Sequence, residues 1–146
     1  MSSINDEALG LLTYNRGWTK EDVLKWWGHD MRLKIVVSAY ENESVNVNQR
    51  QGYLSFKENL LNISDISLKK TKEYIQEMKN EVLPYINFDE IPDDILKIVK
   101  PSSILILESG SIGVLCDCSW DMEHGMAILI SDKQKIDVGP QDILLE

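Results

Sequence analysis

The sequence predicts an α+β fold: an antiparallel sheet built from N-terminal strands and a C-terminal meander, with two to three helices from the middle of the chain packed on it. Three observations carry this reading. Strand-like alternation falls in the first third, apolar residues recur at three- and four-residue steps through the middle, and short apolar runs separated by turn residues fill the last third. No internal repeat, low-complexity tract or linker divides the 146 residues, so residues 1–146 are expected to form a single domain.

The elements follow in chain order. Leu9 to Tyr14 is a short apolar run closed by the turn residues Asn15-Arg16-Gly17. Met31, Leu33, Ile35 and Val37 alternate with Arg32, Lys34 and Ser38, the period of a half-buried strand. Trp26-Trp27-Gly28-His29 lies just before it and reads as the end of an earlier strand or hairpin. Tyr53, Phe56, Leu60 and Ile63 then define an amphipathic helix from about Asn48 to Asn62. Leu68, Thr71, Ile75, Met78 and Val82 define a second, with Asp65 or Ser67 as N-cap and Pro84 as stop. Pro92 to Val99 suits a short third helix, with Pro at its start and Pro101 beyond its end. Strands are expected over Ser103–Leu107, Ile112–Trp120, Met126–Ile130 and Ile136–Val138, joined by turns at Glu108–Ser111, Asp121–Gly125 and Ser131–Gln134.

Composition narrows the functional classes. Hydrophobic content of 43% and charged content of 27% are those of a globular domain large enough to bury its own core. No apolar run reaches the length of a membrane-spanning helix, and the polar, acidic Met1–Glu7 lacks the pattern of a signal peptide. With two cysteines, the expected compartment is a reducing cytoplasm. Net charge is −9, and residues 101–146 hold eight acidic against two basic side chains. A surface of this sign argues against nucleic acid and suits a basic protein partner.

Polar chemistry concentrates in Cys116-Asp117-Cys118-Ser119-Trp120-Asp121-Met122-Glu123-His124-Gly125. Strand alternation puts Cys116 and Cys118 on an apolar face, where a free thiol packs as a small hydrophobe, and a lone Cys-x-Cys lacks the four ligands of structural zinc. Asp121, Glu123 and His124 in the following turn are candidate metal ligands or an acid–base group; the structural alternative has Asp121 capping the turn and Glu123 solvated. Catalytic signatures are missing: no HExxH, P-loop, GxSxG or GxGxxG occurs, and the other histidine, His29, is remote in sequence. No cofactor is implied. Gly139-Pro140-Gln141-Asp142 either brings Gln141 and Asp142 beside the Asp121–His124 turn or reverses the chain to dock its end. Adjacent Trp26 and Trp27 cannot share one face of a regular strand, so one of them is expected either at the surface as a recognition residue or stacked across a sheet edge.

The run Cys116-Asp117-x-x-Trp120-Asp121-x-Glu123-His124-Gly125, with Val138-Gly139-Pro140-Gln141-Asp142, resembles a family of small bacterial proteins known as a domain of unknown function. Leu9-Gly10-Leu11-Leu12, Trp26-Trp27 with Met31–Val37, and Gln49 to Phe56 match further parts of its pattern, so the resemblance covers most of the chain. It implies a single-domain cytoplasmic protein, with similar proteins among polymorphic-toxin immunity genes, and supplies no activity or catalytic residue.

Two functions follow as expectations. The first is a non-enzymatic, immunity-like module that engages a basic protein such as a toxin through Asp117, Asp121, Glu123, His124, Asp142 and Trp27, with Asp137 adding charge. The alternative is a metal-dependent hydrolase or metal-binding domain using Asp121, Glu123 and His124.

Overall fold

The computed structural model describes residues 2–131 and 135–145. It holds one sheet of eight strands in sequence order: β1 (Ser3–Asp6), β2 (Gly10–Tyr14), β3 (Trp18–Trp26), β4 (His29–Val37), β5 (Val99–Ile106), β6 (Ile112–Cys118), β7 (Met126–Ile130) and β8 (Ile136–Gly139). Every neighbouring pair is antiparallel except β4 and β5, which run parallel from Lys34↔Ser103 to Val37↔Ile106. A parallel pair cannot be closed by a tight turn, and the helical middle of the chain is its crossover.

The crossover holds α1 (Val47–Glu58), α2 (Leu60–Glu77) and the single-turn α3 (Lys79–Val82), followed by a 3-10 turn at Leu83–Tyr85. The α+β architecture and the helix count agree with the sequence; the boundaries do not. The break between helices falls at Asn59 (φ −107°, ψ 19°), not beyond Asn62, and Ser67 is no cap but a buried residue inside α2. The third expected helix is replaced by a 3-10 turn at Ile95–Lys97, capped by Asp94. Val99 and Pro101 are drawn into β5 opposite Cys118 and Cys116, which leaves the Pro92–Val99 run too short to wind. The turn expected over Ser131–Gln134 lies, beyond Ser131, outside the described residues.

Helix α2 has 18 residues and is therefore about 27 Å long, close to the roughly 24 Å spanned by the five gaps from β3 to β8. It touches both of those strands, while α1 rests on β5 and β6. Between helices and sheet lie Leu33, Ile35 and Val37 of β4, Ile104 and Ile106 of β5, and Phe56, Ile63 and Ile75 of the helices, all essentially inaccessible. The Lys70 Nζ on α2 donates to the Ile136 carbonyl (3.0 Å), tying the helix to the edge strand β8.

The hairpin from β3 to β4 corrects the reading of the tryptophans. The pair Trp26↔His29 closes a two-residue turn in which Trp27 (φ 52°) and Gly28 (φ 79°) both have positive φ, as a type I′ turn requires. Trp26 is fully buried and Trp27 is 6% exposed, so neither stands at the surface. Alternation did not apply, because Trp27 sits in the turn and not in the strand. The turn folds under α2: the Trp27 N–H donates to Ser64 Oγ (2.7 Å) and its Nε1 to Ser67 Oγ (3.0 Å). Left-handed backbone is unfavourable for so bulky a residue, and these two buried bonds offset that cost.

The outer face of the sheet is partly covered by the C-terminus. A 3-10 turn at Gln141–Leu144 lays Leu144 over Gly113, where an added Cβ would lie 2.7 Å from its Cδ1, and Ile143 over Gly139. The expected chain reversal at Gly139-Pro140 thus docks the chain end.

Candidate functional site

Strand β6 delivers the polar segment. Its alternation sends Ile112, Val114, Cys116 and Cys118 into the core and leaves Asp117 exposed on the outer face, opposite Lys100 of β5. Both thiols are free and buried. Burial pushes Cys118 up to about 11 and raises Cys116 as well, so both are neutral near pH 7 and neither is a ready nucleophile or metal ligand.

Beyond β6, Trp120 packs partly buried against the core, and the chain turns at residues 121–125. Asp121 organises this turn. Its Oδ1 accepts the His124 backbone N–H (3.1 Å) and lies 3.1 Å from His124 Nδ1, while its carbonyl accepts the Gly125 N–H (2.9 Å). The His124 N–H holds the Asp121 carboxyl below the usual carboxylate range, with the His124 ring adding to the effect. Tyr74 of α2 feels the same turn: burial first, then the Cys118 and Asp121 charges, pushes its phenol up.

Gly125 (φ 64°) ends the turn where no side chain fits, since a Cβ would lie 2.6 Å from the Cys116 carbonyl and 2.6 Å from Gln141 Nε2. Gln141 therefore rests against the turn, and the exposed Asp142 follows it. Asp117, Asp137 and the C-terminal turn share the outer face of the sheet. At the tip, Met122 is 86% exposed, and Glu123 and His124 are exposed beside it.

The structure thus brings Asp121, Glu123 and His124 into one turn, sets the Gln141-Asp142 corner beside it, and places Asp117 on the adjoining strand. It separates Trp27, which is buried at the β3–β4 turn under α2. Among the described residues, no group of three or more His, Cys, Asp or Glu side chains is placed to hold a metal ion. Asp121 spends its carboxylate on turn closure, as in an Asx-type cap.

A family model described as a domain of unknown function (DUF6985) matches residues 8–145. The chain belongs to the DUF6985 family. The match takes in all strands but β1 and runs through the Cys116–Gly125 and Gly139–Asp142 segments. No curated protein and no solved structure matches the chain. Among the described residues of this DUF6985 member, no helix is long and apolar enough to cross a membrane.

Two further polar clusters gave no sequence signal, because their charged partners lie far apart in the chain. Asp22 accepts the Tyr53 hydroxyl (3.1 Å) and Lys57 Nζ (3.3 Å), with Lys20 Nζ at 3.8 Å. Burial would raise the Asp22 pKa, but Lys57, Tyr53 and Lys20 outweigh it and lower it. Asp6 accepts the Ala8 and Leu9 N–H groups and Arg50 Nε (2.9 Å), joining the β1–β2 turn to α1. Both clusters are satisfied from within, as struts are.

Proposed function

We propose that this protein is a non-enzymatic, immunity-like binding module that engages a basic protein partner through the acidic outer face and turn of its C-terminal third. The observation that carries the reading is the turn itself. Asp121 fixes it internally, so Met122, Glu123 and His124 are presented outward from a closed backbone, with Asp117 and Asp142 nearby. A preformed, exposed tip with an apolar side chain among carboxylates has the character of an interface centre with a charged rim. The acidic excess of residues 101–146 favours a basic partner and a fast, salt-sensitive encounter.

Asp121 and His124 here act on the turn's shape, and contact is assigned to Met122, Glu123, Asp117 and Asp142. The paired reversal Glu123→Lys with Asp142→Lys is expected to weaken partner binding at least tenfold with an unchanged melting temperature, since both side chains are exposed. Binding that survives this double reversal, measured by calorimetry at low salt, counts against the reading.

A further inference from the structure

The exposed aromatic side chain that Trp27 does not supply stands elsewhere at the same end of the sheet. Beyond the 3-10 turn at Leu83–Tyr85, the crossover runs without helix or strand from Ile86 to Asp94. Both of its ends are held beside the Asp121–Gly125 turn. Tyr74, in the last turn of α2, lies within reach of the Asp121 charge, and the Ser119 N–H donates to the Ile98 carbonyl (2.9 Å). Ile86 and Ile95 are buried in the core and pin the segment, while Tyr85 is 69% and Phe88 39% exposed. Asp89, Glu90, Asp93 and Asp94 are its only charged residues before Lys97, and all four are exposed. Asp94 caps the 3-10 turn at Ile95–Lys97. The other three carboxylates make no hydrogen bond or ion pair among the described residues, and no backbone hydrogen bond is made there from Asn87 to Asp93.

We infer that Tyr85 and Phe88 are the apolar anchors of a docking surface for a basic protein segment that carries apolar side chains of its own. The inference rests on the binding role proposed above and extends it from the Met122 turn to the crossover. A tyrosine buries a large area on docking and fixes only two side-chain torsions, which is why such residues centre interfaces. The carboxylates select the partner. A nucleic acid or an anionic membrane surface would be repelled, and a neutral partner would strip water from the carboxylates without pairing them. Lys and Arg side chains pair with them at the rim of the contact. The buried isoleucines hold the segment in place beforehand, so little chain entropy is lost on docking. Its open backbone N–H and C=O groups are free to bond to the incoming chain.

The probe is a synthetic amphipathic peptide of Lys and Leu at helical spacing, titrated into the full chain while backbone amide shifts are read by NMR. A Lys–Ser peptide of equal charge is titrated beside it. The Lys–Leu peptide is expected to shift the Tyr85, Phe88 and Met122 amides together and saturably, and to bind at least tenfold more tightly than the Lys–Ser peptide. Tyr85→Ser with Phe88→Ser should remove that difference, and Asp89→Lys with Glu90→Lys should weaken both peptides tenfold or more. Tyr40→Ser, at an aromatic residue 75% exposed at the opposite end of the sheet, should change neither. Shifts confined to residues 122–124 would overturn the inference and leave the binding role standing, whereas shifts at neither segment would count against both. The inference is also overturned if the two peptides bind alike or if either double variant binds as the native chain does. It is overturned as well if the Tyr85 and Phe88 signals move with protein concentration alone, which would mark the patch as a contact between copies of this chain.

Discussion

Gly52 on α1 lies directly against Gly110 in the β5–β6 turn, so close that a Cβ on Gly52 would collide with the Gly110 carbonyl oxygen, and one on Gly110 with the Asn48 carbonyl. This contact seats the helix on the strand connection. Two effects oppose each other at Gly52. Alanine is the better helix former by about 1 kcal/mol, whereas overpacking against a fixed backbone costs about 1–3 kcal/mol or more. Because the obstructing atoms are backbone, the second effect wins. Gly52→Ala is expected to destabilise the protein by about 1–2 kcal/mol in chemical denaturation; a stabilised variant would show that α1 can lift off the turn without cost.

The Trp27 turn depends on its hydroxyl partners. Ser67→Ala removes the acceptor of the buried Trp27 Nε1 and leaves an indole donor without a partner, at a cost of about 1–3 kcal/mol. Lys69→Ala on the exposed side of the same helix should stay within about 0.5 kcal/mol. Equal effects at the two positions would mean that helix propensity, and not the buried bond, is what the measurement reads.

Acid stability should report Asp6. Burial raises its pKa, but the Ala8 N–H, Arg50 and the Leu9 N–H together bring it below the ordinary 3.8. A depressed folded-state value contributes stability that is fully present above the unfolded pKa and is lost as pH falls through the folded value. Asp6→Asn is therefore expected to be less stable by about 2 kcal/mol at neutral pH, with the gap to the native chain closing below pH about 4. A gap that is constant with pH would assign the effect to packing alone.

The thiols should be silent until the fold opens. Cys118 is pushed up to about 11 and Cys116 is raised too, both by burial first, so thiolate is scarce at pH 8. A disulfide-exchange reagent should titrate no fast thiol in the native protein and both on addition of guanidinium chloride. Rapid native modification of either one would show that the end of β6 opens locally.

The sheet and the turn were legible where chemistry is local. Alternation at Leu33, Ile35 and Val37 and along Ile112–Cys118 follows from one buried face, and the cap by Asp121 follows from residue type and spacing. Strand β3 was hidden because Lys20, Glu21, Asp22 and Lys25 interrupt its apolar pattern, and Lys20 and Asp22 face Tyr53 and Lys57, partners supplied only by α1. Trp27 was misplaced because its environment comes from Ser64 and Ser67, far along the chain. The β4–β5 parallel pairing was equally invisible, since register across a crossover is a property of packing and not of either segment.

The central claim is that the C-terminal acidic face and turn form a protein-binding surface. Its most direct test is native mass spectrometry of the full chain isolated gently from its own host, beside the Glu123→Lys, Asp142→Lys variant prepared in the same way. The account predicts a stoichiometric basic polypeptide on the native chain that is absent or strongly depleted on the equally stable variant. A bare native chain, or a partner retained at full occupancy by the variant, would contradict it.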